Sequence, residues 1–597
     1  MSNPWNGKVI LEVFYWNCYN AAYGSWYDYI AGLAPRLAAM GFDGVWTPPP
    51  CKDSASFEPM GYTPYDYYDI GLKDQIDGVA TNFGTQDQFL RMIAVCHANG
   101  LEVYPDIVLD HSGFGGPDPS SPFKGINSSF QTAGFAETGR WARNWLDFHF
   151  NPVHWHPLGN WTPSPDDNFG CDFCYQGRCS DSGHADPNCA ARREARAWFV
   201  WFVRQTGVDG FRFDDAKGFP PEVVEDVLYN AMGDRRDYFC VGEYIPDSSG
   251  ELDDYCNGTL NRCGTFDYTF RWALSDLVNT NGFYNTGVLP SLQQQNRFKT
   301  VPFVNNHDNY DDHVGSYIDP DNPRTQLAYA IAMTVDGSPQ LFYADLFRSA
   351  SEDIKADQIP TRPWLQNLVW CHQKLAFKSG DYFVRYQNSE QLLILERGAR
   401  AIVAINNDGS AWHSAWISTA FPPHTELHDY SGSRPDNIWT NQDAWVEIAV
   451  PPLSYSVWGP VGITGGFAPT PKRTLQQFEM DDDLGDSNPK SPGYGGKVIP
   501  GTWRTAGAIW PAAGSEVNIF VYSDAPQHAD FQACIPSETP AVTKSGDCAP
   551  NAPLIANFKV EKEGRYLLQA KLSQAGSAPA RIYVKANYIG PATSTAF

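Results

Sequence analysis

The chain is expected to be an α/β protein, a parallel (β/α)8 TIM barrel with an insertion after its third strand, followed by C-terminal antiparallel β domains. Three observations predict this. Eight short apolar runs alternate with longer amphipathic stretches over about 375 residues, one long irregular interval breaks that rhythm, and from about Asp381 closely spaced alternating strands take over. Parallel strands require crossovers, and a helix between each pair is the economical way to supply them.

The expected barrel strands are Val9–Phe14, Gly44–Thr47, Leu101–Leu109, Gly210–Phe213, Tyr238–Gly242, Gly264–Asp267, Val301–Asn305 and Gln340–Tyr343. Each is a short run rich in apolar residues, as a strand covered on both faces should be. Between them lie helix patterns such as Tyr27–Met40, Thr85–Asn99, Ala190–Gln205, Pro221–Met232 and Arg324–Val335. The barrel therefore takes residues 1–110 and 188–380, and 111–187 form the insertion, rich in Gly, Pro, Ser, Asn, Trp and Cys without a clear helix. A connection that long is either functional or a small subdomain. Residues 381–460, with runs at Gln391–Glu396, Ala401–Asn406 and Ala444–Val450, read as a small antiparallel β domain. Gly459–Arg473, with four Gly and three Pro, reads as a linker, and 474–597 hold further β runs. In that last domain Trp503 and Trp510 are either carbohydrate platforms or core and interdomain packing, and packing is the commoner use.

Composition narrows the partners. The 597 residues hold 68 acids and 43 bases, a formal charge of -25, which disfavours nucleic acid and anionic membrane, because both are bound through Lys and Arg. No window approaches the roughly 20 apolar residues of a membrane helix. The N-terminus, Met-Ser-Asn-Pro-Trp, lacks a charged-then-apolar signal, so the chain is either cytosolic or a secreted one whose signal was removed. Thirteen cysteines favour secretion, with Cys256/Cys263 and Cys534/Cys548 expected to close short loops as disulfides. Cys171, Cys174, Cys179 and Cys189 could pair or hold zinc, and a single CxxC-like half favours pairing. The odd count leaves at least one free thiol, for which Cys96, inside a helical pattern, is the candidate. A 14% aromatic content suits a neutral, stackable ligand such as a sugar, although core packing accounts for most of these rings.

In a parallel barrel the reactive side chains end the strands. The third run ends Asp106-Ile-Val-Leu-Asp110-His111, the fourth reads Gly210-Phe-Arg212-Phe-Asp214-Asp215-Ala-Lys217, the fifth ends at Glu243, and the seventh at Asn306-His307-Asp308. Any single acid here could be a helix cap or a solvated charge; several at successive strand ends point to a site.

These segments, DIVLDH, GFRFDDAK, the Glu243 strand end and FVNNHD, resemble in order the four signatures of the α-amylase superfamily, glycoside hydrolase family 13, over roughly residues 8–460. The resemblance implies retaining, endo-acting hydrolysis of α-1,4-glucosidic bonds in starch and related α-glucans, with release of maltooligosaccharides and a monomeric enzyme. It implies Asp214 as nucleophile, Glu243 as general acid/base and Asp308 as the third carboxylate. Tyr62, in the segment MGYTPYDYYDIG, matches the loop whose Tyr stacks on the reacting ring, and His111, Arg212, Lys217 and His307 match substrate-binding positions. It also implies Ca2+ between insertion and barrel, held by Asp110, Asp186 and the carbonyl of Gly218, with Asp172 or Asp181 completing the shell. Asp110 stands where Asn is usual, Gly218 where His is common, and Asp215 where a small residue is usual; Gly218 resembles the maltooligosaccharide-forming branch. A transglycosylase on the same site, or a non-catalytic glucan-binding protein, are the alternatives, and a complete acid set argues against the latter.

The chemistry explains the residue types. Cleaving an acetal needs one carboxyl protonated, to give a proton to the leaving oxygen, and one ionised, to trap an oxocarbenium-like carbon. Arg212 and Asp214 point to the same side of one strand, so Arg212 is expected to favour the ionised form of Asp214, while Asp214 and Asp308 push Glu243 toward protonation. A retaining pair should stand ~5 to 5.5 Å apart. His111 and His307 are expected to donate to sugar hydroxyls, and Lys217 either to reach the next sugar on the leaving side or to be a solvated loop Lys.

Overall fold

The structure, a computed structural model, describes residues 7–593 apart from 19–23, 54–59, 77, 298, 311–315, 349–353, 481–499, 574–579, and 113–188 other than 141, 143, 147 and 171–175. Eight parallel strands form one sheet: β1 (Ile10–Glu12), β2 (Gly44–Thr47), β3 (Glu102–Ile107), β4 (Phe211–Phe213), β5 (Cys240–Gly242), β6 (Gly264–Phe266), β7 (Thr300–Val301) and β8 (Gln340–Phe342). Neighbours in sequence are neighbours in the sheet, and β8 returns to pair with β1. The seam between β7 and β8 closes through Ser338 N–H to Thr300 O at 3.1 Å and Gln340 N–H to Pro302 O at 3.0 Å. All eight expected strands are present. The seventh is much shorter than expected, because Pro302 has no N–H to continue the ladder and the chain leaves the sheet as an irregular segment through Asn306.

The crossovers are α1 (Trp26–Met40), α2 (Gln86–Ala98), α3 (Ala190–Thr206), α4 (Pro221–Met232), α5 (Ser249–Gly258), α6 (Tyr268–Asn279) and α7 (Thr325–Ala332), and α8 (Pro363–Lys374) follows β8. Their ends follow local chemistry. Ser25 caps α1 by accepting from Asp28 N–H, Thr85 and Gln88 form a reciprocal capping box on α2, and α1 and α3 stop at Gly41 and Gly207, whose φ of 102° and 71° only glycine adopts at little cost. The insertion leaves after β3; its described part pairs His111–Ser112 with Cys171–Asp172.

The next domain is a sandwich. One sheet holds β9 (Tyr382–Tyr386), β10 (Leu392–Arg397), β11 (Ala401–Asn406), β13 (Glu426–Asp429), β14 (Ile438–Trp439) and β16 (Ser454–Pro460); the other holds β12 (His413–Ser418) and β15 (Trp445–Val450). The two faces of the larger sheet are used separately: Leu393, Leu395, Val403, Ile405 and Val457 join the barrel core, whereas Leu392, Ile394, Ile402, Ala404 and Trp458 meet Ile417, Val446 and Ile448 of the smaller sheet.

The C-terminal domain is a second sandwich of two four-stranded antiparallel sheets, β17 (Thr474–Met480), β24 (Ile582–Tyr588), β19 (Glu516–Ser523) and β22 (Leu554–Lys559) against β18 (Arg504–Ile509), β23 (Tyr566–Leu572), β20 (Gln527–Cys534) and β21 (Val542–Cys548). Leu90 and Ala94 of α2 belong to its apolar core, and Glu102 of β3 binds Lys472 at 2.8 Å just before β17. Trp510 is buried in that core; Trp503 is 38% exposed beneath the Lys571 ammonium, 4.9 Å from the ring centre.

Two expected disulfides are corrected. Cys256, Cys263, Cys534 and Cys548 are free thiols. Cys256 faces the Lys299 carbonyl and the Gln294 amide, while the sulfur of Cys263 lies 3.0 Å from Cys240. Cys534 and Cys548 sit at opposite ends of a hairpin whose register pairs Gln527 with Cys548 and Ala533 with Val542, roughly 20 Å apart along the strands. The case for secretion loses both pairs. Cys96 is a buried free thiol, as expected; Cys171 and Cys179 of the four-cysteine cluster lie outside the residues whose side chains are described. Among the described residues no helix is long and apolar enough to cross a membrane.

Candidate active site

At the C-terminal ends of β3, β4 and β5 one guanidinium organises the carboxyls. Arg212, 1% exposed, gives Nη1 to both oxygens of Asp106 at 2.8 and 2.9 Å and to Asp214 Oδ1 at 2.6 Å, and Nη2 to Glu243 Oε2 at 2.6 Å. The barrel register sets this up, because Asp106 pairs with Arg212 and Phe213 with Gly242, so residues on three neighbouring strands end at one level. Asp106 is the fully buried counter-charge, also accepting from Trp46 Nε1 at 3.2 Å and Tyr62 OH at 2.9 Å. A buried cation is tolerable only with acids beside it; burial, opposed by Arg212 and reinforced by the Asp214 charge, pushes the Asp106 carboxyl up to about 7.

The outer acids keep contact with solvent: the side chains of Asp214, Glu243 and Asp308 are 11%, 13% and 22% exposed. Glu243 accepts from the Asp215 amide at 3.1 Å and Tyr268 OH at 3.3 Å. The amide reaches it because Asp215 takes φ 34°, a left-handed conformation uncommon for a residue with a side chain. Asp308 Oδ2 accepts from Asn306 Nδ2 at 3.2 Å; its recess in the site and the Glu243 charge push its carboxyl well above the usual range. Burial and the negative charges of Asp110, Glu243 and Asp214 do the same to Asp215.

Two expectations change here. Arg212 contacts Asp214 and Glu243 at the same distance, so it does not single out Asp214 as the ionised partner. Both histidines are occupied within the protein. His111 Nε2 meets the Tyr62 carbonyl at 2.6 Å and its Nδ1 meets Asp110 at 3.2 Å; His307 Nδ1 meets Glu12 at 2.6 Å and its Nε2 the Tyr62 hydroxyl at 2.8 Å. Their arrangement holds Tyr62, whose ring stacks on His307 with centres 5.4 Å apart and planes 6° from parallel. Lys217 lies at the mouth, its ammonium donating to Ile245 O at 3.0 Å above the Tyr244 ring.

Glu12, Asp106, Trp46 and Tyr268 were not singled out from the sequence. Glu12 sits in the apolar run Ile10-Leu11-Glu12, and a charge inside a buried strand was the available signal.

The Ca2+ positions are partly described. Asp110 Oδ1 is buried without a hydrogen-bond partner, and a Cβ on Gly218 would stand 2.1 Å from it, so only glycine brings the backbone this close. A bare carboxylate oxygen beside a main-chain segment fits a hard cation. Asp186 and Asp181 lie outside the described residues, as does the side chain of Asp172; among the described residues no cluster of three acidic, His or Cys side chains forms a metal site.

The family model described as alpha amylase, catalytic domain, matches residues 28–357, and that described as alpha-amylase C-terminal matches 401–459. The chain is 26% identical over 501 residues to an alpha-amylase of Geobacillus stearothermophilus, covering 76% of this chain and 87% of that one. It is 25% identical over 500 residues to a glucan 1,4-alpha-maltohexaosidase of Bacillus sp. (strain 707), covering 76% and 93%. In fold it is similar to the alpha-amylase of Geobacillus thermoleovorans complexed with acarbose, at TM-score 0.55 and 18% identity, covering 77% of this chain and 98% of that one.

Proposed function

Because the chain belongs to the alpha-amylase catalytic-domain family, we propose that it is a glycoside hydrolase that cleaves α-1,4-glucosidic bonds within starch and related glucans, with retention, releasing maltooligosaccharides. The observation that carries this reading is the bridge from one buried guanidinium to Asp214 and Glu243 at 2.6 Å each, with both acids still open to solvent.

In this reading Asp214 attacks the anomeric carbon and forms a glycosyl ester, while Glu243 gives its proton to the leaving oxygen. Water enters, Glu243 takes its proton, and the ester opens. Asp308, held by Asn306, hydrogen-bonds sugar hydroxyls of the strained ring, and Tyr62 stacks beneath it. Arg212 holds both working carboxyls in register, and Tyr268 and the Asp215 amide fix the rotamer of Glu243. Lys217 stands on the leaving side. We also propose that Ca2+ is held by Asp110, Asp186 and the Gly218 carbonyl; when bound it ties the insertion to the barrel and takes no part in proton transfer. A monomer is proposed as the working state, since copies of charge -25 repel.

The test is incubation with soluble starch and chromatography of the products. Short linear chains support hydrolysis, cyclic or elongated chains a transglycosylase, and unchanged starch a binding protein. Glu243→Gln is expected to lower turnover by about 10²–10⁴-fold while glucan binding persists; near-normal turnover rejects the acid assignment.

A further inference from the structure

Six large exposed tryptophans occur among the described residues, and four of them, Trp412, Trp416, Trp439 and Trp445, lie in the 381–460 domain. Three share one surface. Along β12 and the residue pair before it, exposure alternates: Trp412, Ser414, Trp416 and Ser418 face out, while Ile417 faces the sandwich core. The antiparallel register places Ser418 opposite Trp445 and Trp416 opposite Glu447, so Trp416 and Trp445 are diagonal neighbours on the same face, about 7–8 Å apart. Trp412, Trp416 and Trp445 are 56%, 57% and 43% exposed, which is costly for the largest apolar side chains unless something stacks on them.

The face also carries polar groups of a particular kind. Ser414 Oγ donates to Glu447 Oε1 at 2.9 Å; Arg434 lies 5.3 Å from the Trp412 ring centre and donates through Nη1 to the Ala449 carbonyl at 3.2 Å. Indole faces flanked by one acceptor cluster and one guanidinium suit a ligand with apolar C–H faces and a rim of hydroxyls, which is a sugar ring. One carboxylate and one guanidinium balance, so the face selects a neutral ligand. A second copy of the chain brings another charge of -25 and is repelled. From Trp412 to the level of Trp445 the face runs about 20 Å, which suits a chain of sugar units rather than a single ring.

Its location separates it from the cleavage site. The larger sheet of this domain packs on the barrel, the smaller sheet packs on the larger, and these tryptophans stand on the outer surface of the smaller. We propose that Trp412, Trp416 and Trp445 form a second α-glucan-binding site that holds polymeric substrate by stacking, away from the catalytic acids. This rests on the α-glucan reading above.

The test compares wild type with the triple variant Trp412→Ala, Trp416→Ala, Trp445→Ala by adsorption to starch granules and by retardation in gels containing amylopectin, beside turnover of a short soluble maltooligosaccharide. Granule adsorption is expected to weaken at least about tenfold, with turnover of the short substrate within about twofold of wild type. Trp416→Phe, with Trp412 and Trp445 intact, should adsorb more strongly than Trp416→Ala. Undiminished adsorption and retardation by a folded triple variant overturns the proposal, as does a change of oligomeric state with adsorption intact, which would make the face a self-interface. Glu243→Gln, made in both the wild-type and the triple-tryptophan backgrounds, keeps the two readings apart: neither cleaves and both keep the cleft, so the difference in their adsorption tests the second site alone, and failure of wild type to cleave the short substrate counts against the hydrolase reading alone.

Discussion

Glu12 Oε1 lies 2.6 Å from His307 Nδ1 and also accepts the His307 backbone N–H at 3.1 Å, so one carboxylate at the end of β1 fixes both the main chain and the ring of a residue from beyond β7. The consequence reaches the sugar platform. The Tyr62 hydroxyl gives its proton to Asp106, so its oxygen accepts from His307 Nε2, which must carry a hydrogen. Glu12 thus governs where Tyr62 sits through the protonation of an intervening imidazole.

Burial pushes the Glu12 carboxyl well above the usual carboxylate range, and Glu12→Gln keeps its shape while replacing the carboxyl that meets His307 Nδ1 by an amide. Leaving a buried hydrogen-bond partner unsatisfied costs about 1–3 kcal/mol, so a loss of about tenfold in kcat/KM is expected, together with a displaced pH profile. Steady-state kinetics from pH 5 to 8 check it; an unchanged profile and rate would mean that the carboxylate serves packing alone.

Arg212→Lys should fold less stably and lose at least about a hundredfold in kcat/KM, because one ammonium cannot present parallel donors to Asp106, Asp214 and Glu243. Circular dichroism separates loss of fold from loss of rate. A Lys variant with near-wild-type kcat/KM would show that the fork is dispensable.

Calcium is expected to raise the thermal midpoint of the wild type, by the equivalent of about 2.7 kcal/mol at one hundred times Kd, and a chelator to lower it. In Gly218→Ala the new methyl falls where the Asp110 carboxylate stands, so the midpoint should drop and its response to chelator shrink. A wild-type midpoint indifferent to chelator refutes the proposed ion.

Acid should loosen the junction between barrel and C-terminal domain. Glu102 is held below the usual carboxylate range: burial works against ionisation, but Lys8 and Lys472 outweigh it; for Asp209, His97 outweighs burial in the same way. A depressed folded pKa contributes stability that is present above the unfolded value, about 4, and is lost as pH falls through the folded one. Glu102→Gln should therefore be less stable than wild type at pH 7, with the difference shrinking as pH falls below about 4. Thermal unfolding across that range decides; a gap independent of pH would exclude the carboxylate's charge as its source.

Much of the barrel and its acids was legible because their signals are local. Strand runs such as Gly44–Thr47 and Gly264–Phe266 are short and apolar, and Asp214, Glu243 and Asp308 each follow one. What escaped depends on pairing across the sheet. Only the register shows that Asp106 stands beside Arg212, and only the returning β8 and the path after β7 bring Glu12 to His307. Arg212 meets Asp214 of its own strand as expected, and its two further carboxyls, Asp106 and Glu243, come from the strands on either side. Cys534 and Cys548 misled for a related reason: fourteen residues apart reads as a loop, whereas the hairpin sends them to opposite ends.

Leu90 and Ala94 on α2 complete the interior of the C-terminal sandwich, so the seam between the two bodies runs through a barrel helix instead of along the linker. Cutting the chain near residue 473 would leave greasy patches on both fragments, and the amputated enzyme would tend to clump unless those two positions were made hydrophilic. Anyone wishing to transplant the terminal sandwich onto another enzyme would have to supply a surrogate for that helix first.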